Sequence, residues 1–363
     1  MDKLHVGLIY GGHSSEHEVS ITSARNVYAA LDPEKYRVTP IRIDRAGRWH
    51  VEDFETSVLN GAEEGPASDR ETLFAPAAEG GEIYVKRSGG TAHLEPLALD
   101  VAFPMLHGQN GEDGRVQGFL ATLGLPFVGP DVLSSAVCMD KEVTKRLLRD
   151  SGLPIVPFRV VRRGERPPYE AMAEALGPTL FVKPANSGSS VGTSKVDDAD
   201  GYARALDGAF AYDHKVLVET AMRGREIECA VLGNEEPRAS VPGEIVVTAT
   251  FYTYEAKYLD ADASRMEVPA DLPAEVAARI RAHAADAARV LGCEGMARVD
   301  FFLTPDHDVF INEVNTIPGF TARSMYPVMW QETGVPYPAL VDTLIQLALD
   351  RHARDARLKT SRA

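Results

Sequence analysis

Two carboxylates and an amide, Asp300, Glu313 and Asn315, flank a short polar turn, Thr304-Pro-Asp-His-Asp308, between two apolar segments. A turn centred between Asp306 and His307 sets Asp300 opposite Glu313 and Arg298 opposite Asn315, and strand alternation puts all four on one face. Carboxylates directly across a ladder sit about 5 Å apart at Cβ and repel each other. Either a divalent cation between them or an Arg298 bonded to both acids removes the repulsion. Oxygen donors without nearby His or Cys suit Mg2+, which is held by one or two carboxylates together with substrate phosphates.

A second stretch, Phe181-Val-Lys-Pro-Ala-Asn-Ser-Gly-Ser-Ser-Val-Gly192, sets a lysine at a strand end ahead of a loop of small residues. Backbone N–H groups of such a loop approach phosphate oxygens closely, and Lys183 adds charge. No Gly-Lys-Ser/Thr opens a following helix, so this is not a Walker A loop, and an ordinary glycine-rich turn stays open as the alternative. Lys141 is a second candidate cation. The strand-to-helix turn Gly11-Gly12-His13-Ser14-Ser15-Glu16 lacks GxGxxG, and Glu16 would repel a pyrophosphate. A carboxylate there suits an ammonium group, or simply the helix dipole. Phe251-Tyr-Thr-Tyr-Glu-Ala-Lys-Tyr258 mixes aromatics with a lysine inside a loop, the composition of a lid or of a hydrophobic loop anchor.

The elements that must position these groups read as α/β. A buried strand from Leu4 to Tyr10 feeds a helix to about Leu31, with Ser15 and Glu18 fitting a capping box. Strands follow over 36–44 and 99–104, giving β-α-β logic interrupted by a polar 52–95 insertion expected to hold surface excursions and one hairpin near 81–86. Helical pattern runs from Val132 to Asp150, and 152–157 reads as a linker. Next come a strand over 179–183, the small-residue loop, another strand, a helix over 199–210 and a strand ending at Glu219. An amphipathic helix over 273–291, a hairpin and two terminal helices finish the chain. The basic stretch 351–362 reads as a solvated, frayed helix end.

The 363 residues correspond to two or three domains, with 44% hydrophobic and 25% charged residues, an ordinary globular balance. Lys and Arg number 38 against 53 Asp and Glu, a net charge of −15, the wrong sign for a nucleic-acid or anionic-membrane surface. Cys138, Cys229 and Cys293 are odd in number and lack CxxC spacing, so neither a disulfide framework nor a zinc site is expected, but buried thiols in a reducing compartment. The apolar run Val6 to Tyr10 is too short for a signal peptide, and no stretch approaches 18 apolar residues, so a cytoplasmic location is expected.

Seven motifs in order resemble the D-alanine:D-alanine ligase family of the ATP-grasp superfamily, over residues 5 to about 345. They are Gly11-Gly-x-Ser-x-Glu16-x-Glu-Val-Ser20, His107-Gly-x-x-Gly-Glu-Asp-Gly114, Met139-Asp-Lys141, Lys183-Pro-x-x-x-Gly-Ser-Ser-Val-Gly192, Glu255-Ala-Lys-Tyr258, Arg298-x-Asp300 and Glu313-x-Asn-Thr-x-Pro-Gly319. The resemblance implies an α/β, ATP-grasp fold with an N-terminal Rossmann-like domain. Three domains are implied, 1–129, 130–218 and 219–363, with ATP between the last two and a lid loop at about 251–265. It also implies a cytoplasmic homodimer that uses ATP and two Mg2+ ions, for which Mn2+ can substitute, to join two D-alanine molecules through an acylphosphate. The product, D-alanyl-D-alanine, serves peptidoglycan precursor synthesis.

Residue by residue, the resemblance assigns Lys141 and Lys183 to the nucleotide phosphates, beneath the loop carrying Ser189 and Ser190. Glu219 would lie at the adenine amino group, Ala221 and Met222 beside the base, and Glu226 at the ribose. Asp300, Glu313 and Asn315 would be the Mg2+ ligands, in agreement with the hairpin register. Glu16 would hold the first D-alanine's ammonium, latched by Ser189 and Tyr258. Arg298 and the Gly319 N–H would form the oxyanion site, Lys257 would meet the γ-phosphate, Ser324 would anchor the second carboxylate, and His107 would lie near the second subsite. Met325 stands where leucine is common in the family, and its flexibility would loosen selection of the second residue.

The nearest rival is a ligase of the same fold joining D-alanine to D-lactate or D-serine, and the Glu-Ala-Lys-Tyr loop argues for D-alanine. Further rivals are another ATP-grasp carboxylate:amine ligase and a nucleotide-binding protein without catalysis. The latter would keep Lys141 and Lys183 but should lack the metal set, and Asp300, Glu313 and Asn315 are all present, so catalysis is favoured. A dinucleotide oxidoreductase is weakest, because its fingerprint is absent.

Overall fold

The computed structural model describes residues 3–61, 64–65, 68–77, 80–87, 93–247 and 264–359. Among these residues, the strands form three sheets that follow one another along the chain.

The first sheet contains β1 (Leu4–Gly11), β2 (Tyr36–Ile43), β3 (Trp49–Val51), β4 (Arg70–Ala75), β5 (Glu82–Arg87), β6 (Leu94–Pro96) and β7 (Val101–Met105), in the order β6-β5-β4-β3-β2-β1-β7. β1 pairs in parallel with β2 and β7, the place for a strand that is apolar on both faces. The crossover to β2 is α1 (His17–Ala30). Instead of one hairpin, the insertion forms an antiparallel meander, β4 to β6, that extends the sheet. Ile83 and Val85 are buried at alternate positions of β5, whereas Leu94 and Pro96 of the edge strand β6 are exposed.

The expected capping box does not form: Glu16 is the N-cap of α1, without a side-chain capping bond. Ser14, not Ser15, serves this turn, accepting from the Glu16 N–H at 2.9 Å and donating to the His107 carbonyl at 2.8 Å.

After α2 (Arg115–Thr122), the expected continuous helix is two helices, α3 (Val132–Met139) and α4 (Lys141–Asp150). Asp140 breaks it with an extended backbone, and its carboxylate accepts from the N–H groups of Glu142 and Val143. The break makes Lys141 the first residue of α4 and leaves Lys145 one turn along the same side.

The second sheet, β8 (Phe158–Arg162), β9 (Leu180–Pro184), β10 (Ser194–Val196) and β11 (Lys215–Thr220), runs antiparallel in the order β10-β9-β11-β8. With it go α5 (Tyr169–Leu176) and α6 (Ala199–Phe210). The third contains β12 (Arg225–Gly233), β13 (Arg238–Ala239), β14 (Gly243–Val247), β15 (Ser264–Glu267), β16 (Gly295–Leu303) and β17 (Val309–Asn315). Against it packs α7 (Ala274–Leu291), which buries Val276, Ile280, Ala284, Ala287 and Leu291 and stops at Gly292, φ 67°.

The β16–β17 hairpin pairs Asp300 with Glu313 and Arg298 with Asn315, as expected. Nearer the turn the register differs: Phe301 faces Ile311, so Asn312 is the extra residue of a β-bulge.

α8 (Met325–Glu332) and α9 (Tyr337–Asp355) share one core with the first sheet, where Leu8, Phe103 and Met105 cluster with Tyr326, Trp330, Leu340 and Leu344. Arg351 is not the solvated tail residue expected. It lies within α9, 5% exposed, and donates to the carbonyls of Gly129 at 2.5 Å and Phe127 at 2.8 Å. The three cysteines are buried thiols, and Cys138 and Cys293, distant in sequence, bring their sulfurs to 3.5 Å. No helix among the described residues is long and apolar enough to cross a membrane.

Candidate active site

Two adjoining cavities, of about 790 and 580 Å³, meet along walls that include Lys141, Ser189 and Glu313. The larger lies between the second and third sheets and is lined by Lys183, Ser190, Glu219, Ala221, Met222, Glu226 and Asp300. The smaller reaches the first sheet and is lined by Glu16, His107, Arg298, Asn315, Gly319, Ser324 and Met325. Every described candidate residue from the sequence thus borders one or both. Lys257 and Tyr258, with most of the proposed lid, lie outside the described residues.

The larger cavity is cationic on one wall. Lys141, at the start of α4, donates to the Ser187 carbonyl at 2.6 Å and lies 3.5 Å from Glu313. Lys183, at the end of β9, pairs with Glu219 at 2.7 Å and donates to Asn312 Oδ1 at 3.3 Å. The bulge on β17 is what brings Asn312 to this wall. The Glu219 carboxylate, assigned by sequence to the adenine end, is taken up by Lys183 and by Lys145, 3.1 Å away. Burial alone would raise the Glu219 pKa, but the two ammonium groups hold it below the usual range. Lys145 is pulled down to about 8, chiefly by burial.

The loop after β9 carries Ser189 and Ser190 at φ 49° and 59°, consecutive left-handed conformations of a tight turn closed by the Val191 N–H on the Gly188 carbonyl at 3.1 Å, a backbone form that makes anion-binding nests. An anion suits that nest. Ser189 Oγ also donates to Glu16 Oε1 at 2.6 Å, crossing to the first sheet. Behind Glu16 lies Gly108, with φ 74°; a Cβ there would come within 2.5 Å of Glu16 Oε2. Only glycine gives the carboxylate room in that backbone conformation.

Arg298 occupies the centre of the smaller cavity's acidic wall. Its guanidinium takes both oxygens of Asp300, at 2.7 and 2.8 Å, and reaches Glu228 at 2.9 Å. Burial alone would lower its pKa, but Asp300 and Glu228 raise it. Asn315 donates to Asp300 at 2.9 Å. Asp300, Glu313 and Asn315 therefore offer oxygen donors from facing strands, with no sulfur or imidazole among them, a donor set that fits a hard divalent cation.

His107 works on the opposite wall. Its Nδ1–H donates to the Ile317 carbonyl at 2.9 Å, which leaves Nε2 to accept from the Ser23 hydroxyl at 2.9 Å. Ser23 in turn accepts from the Phe320 N–H at 3.3 Å. Burial lowers the His107 pKa, so the ring is neutral. It holds the 317–320 segment that carries Gly319. Glu112 supports the same segment, accepting from the N–H groups of Ile317 at 3.1 Å and Gly108 at 2.6 Å. Burial, with Glu16 nearby, pushes Glu112 up to about 8. Ser324 is the N-cap of α8 and accepts from the Thr321 N–H at 3.0 Å.

Sequence reasoning missed Lys145, Glu112, Glu228 and Asn312. Lys145 could have been found one turn after Lys141, and Glu112 stands inside a quoted motif. Glu228 faces Asp300 only once β12 is paired to β16, and nothing local marks the bulge at Asn312.

Similar proteins are known along nearly the whole chain. Residues 5–130 match the family described as D-ala D-ala ligase N-terminus, and residues 147–346 match D-ala D-ala ligase C-terminus. D-alanine–D-alanine ligase A of Escherichia coli (strain K12) is 50% identical over 364 residues, covering 99% of this chain and 100% of that protein. The solved D-alanine-D-alanine ligase from Coxiella burnetii superposes with a TM-score of 0.84 at 39% identity, covering 98% of this chain and 97% of that one. The VanG D-Ala:D-Ser ligase from Enterococcus faecalis superposes at 0.81 with 35% identity, covering 96% and 100%.

Proposed function

The chain belongs to the D-alanine–D-alanine ligase family, and from that premise we propose that its joined cavities bind ATP and two D-alanine molecules and form D-alanyl-D-alanine for peptidoglycan synthesis. Its three-sheet α/β architecture is the ATP-grasp fold. The observation that carries the reading is the Ser189–Glu16 hydrogen bond, which sets a carboxylate suited to a substrate ammonium directly beside a loop suited to phosphate.

In the larger cavity, Lys141, Lys183 and the nest at Ser189–Ser190 take the nucleotide phosphates, with adenine against Glu219, Ala221 and Met222 and ribose at Glu226. Glu16 holds the ammonium of the first D-alanine. That substrate's carboxylate oxygen attacks the γ-phosphorus, ADP leaves, and an acylphosphate results. Mg2+ bound by Asp300, Glu313 and Asn315 would neutralise the crowded phosphate charge. The second D-alanine, anchored through its carboxylate by Ser324, attacks as a free amine at the acyl carbon. Arg298 and the Gly319 N–H stabilise the tetrahedral oxyanion, and phosphate departs with the C–O electron pair and the proton that the attacking nitrogen gives up. His107, through Ile317 and Ser23, keeps Gly319 in place.

Water must be kept from the acylphosphate, a task for the 251–265 loop, in which the family resemblance assigns Lys257 to the γ-phosphate and Tyr258 to the latch. Two Mg2+ ions, a homodimer, a cytoplasmic location and the division at 129 and 218 complete the reading on family resemblance.

The test is phosphate release from Mg-ATP with D-alanine, L-alanine, or D-alanine plus D-lactate or D-serine, products identified by mass. D-Alanine alone should drive release and yield the D,D-dipeptide. Coupling that requires another acceptor would keep the first subsite and overturn the second.

A further inference from the structure

Lys145 is 1% exposed on α4 and borders neither cavity. Its ammonium lies 3.1 Å from Glu219 Oε1, while Lys183 holds Oε2 of the same carboxylate at 2.7 Å. Glu219 is itself 3% exposed. One buried carboxylate needs one counter-charge, and desolvating a second ammonium for it is costly. The surplus makes sense when one of the two lysines has another task.

Only Lys183 can have it. Its side chain borders the larger cavity, whereas Lys145 is sealed behind Glu219. The two lysines are also positioned independently. Lys183 and Glu219 come from paired strands, Lys183 facing Leu217 with Glu219 on the diagonal. Lys145 comes from α4, which Asp140 caps and which the Lys141 N–H pins to the Ala185 carbonyl at 3.0 Å.

We propose that Lys145 is a positioning residue that keeps Glu219 neutralised when Lys183 turns from it to a nucleotide phosphate. This rests on the reading of Lys183 as a phosphate ligand. Without Lys145, the move of Lys183 would strand a buried, unpaired carboxylate, and that cost would fall on nucleotide binding and leave D-alanine binding untouched. Removing the carboxylate as well would remove the cost.

The experiment is titration calorimetry of MgADP with the full chain, Lys145→Met, Glu219→Gln and the double variant, alongside KM for D-alanine. Lys145→Met should weaken MgADP binding at least about tenfold, while in the Glu219→Gln background the same change should matter less than about threefold. Equal weakening in both backgrounds, or a matching rise in the D-alanine KM, would mean a general structural role and overturn the proposal. If thermal melts show Lys145→Met unfolded, Lys145→Gln replaces it with the same expectations, since it keeps a donor toward Glu219 without the charge. Lys183→Met separates the two ideas. Unchanged MgADP affinity there defeats the phosphate-ligand reading and this proposal with it. Weakening there, with no effect of Lys145→Met, defeats this proposal alone.

Discussion

Ser189 donates to Glu16 at 2.6 Å across 173 positions of sequence, tying the phosphate-loop candidate of the second sheet to the first helix beside the first sheet. One carboxylate thus registers the loop and, on the proposed function, also holds a substrate ammonium. Glu16→Gln keeps a weak acceptor but loses the charge, so the first-site D-alanine KM should rise about 10- to 100-fold. Ser189→Ala loses a hydrogen bond of about 1 kcal/mol, a rise of about fivefold. Steady-state kinetics at saturating ATP measures both.

Gly108 backs that carboxylate so closely that a methyl group would sit 2.5 Å from Glu16 Oε2, at a φ of 74°. Gly108→Ala should therefore displace Glu16 and strain the backbone, with a loss of about 1–3 kcal/mol in urea unfolding and a raised D-alanine KM. Stability and KM equal to those of the parent would refute the crowding argument.

His107 gives the protein an acid-sensitive joint. The unfolded chain protonates this imidazole near 6.5, while burial keeps the folded ring neutral to lower pH despite the pull of Glu16. Between those two pKa values the unfolded state binds more protons. The contribution of His107 is therefore complete above about 6.5 and is lost as pH falls through the window. The urea midpoint should drop more steeply from pH 7 to pH 5 in the parent than in His107→Gln, and parallel slopes would contradict this.

Chelation addresses the hairpin. EDTA should stop phosphate release, and added Mg2+ should restore it. Asp300→Asn and Glu313→Gln should each lower kcat by at least about a hundredfold, the scale of removing electrostatic stabilisation from a transition state. Full turnover after EDTA would remove the metal assignment and leave the Arg298–Asp300 pair as purely structural.

Arg351 is a stability determinant far from the chemistry. Replacing it by methionine fills the volume but strips donors from two buried carbonyls, those of Phe127 and Gly129. Thermal and urea unfolding should report a loss of about 2–4 kcal/mol with KM values unchanged.

The chemistry-bearing residues were legible where local pattern determines geometry. Strand alternation with a turn centre assumed between Asp306 and His307 put Arg298, Asp300, Glu313 and Asn315 on one face, the bulge at Asn312 offsetting the different register nearer the turn, and the glycine-rich motif marked the loop that borders the larger cavity. What stayed hidden depends on pairing between distant segments. Lys145 reads as a solvated helix lysine until Glu219 is placed against it, and Glu228 joins Arg298 only through the β12–β16 ladder. Asp140 interrupts an apolar helical pattern because its carboxylate caps α4 better than it continues α3. Arg351 belongs to a charged run whose composition says solvent, but two carbonyls 222 and 224 positions away say otherwise.

The shared core has a consequence for the order in which this protein is made. β1 and β7 emerge from the ribosome first, yet the apolar surface they present is covered by Leu340, Val341, Leu344 and Ile345 of the last described helix. The opening third of the chain must wait, partly uncovered, for nearly everything after it to be translated. Premature termination before α9 should thus leave an aggregation-prone fragment rather than a working nucleotide-binding half, so the cell receives a complete enzyme or none.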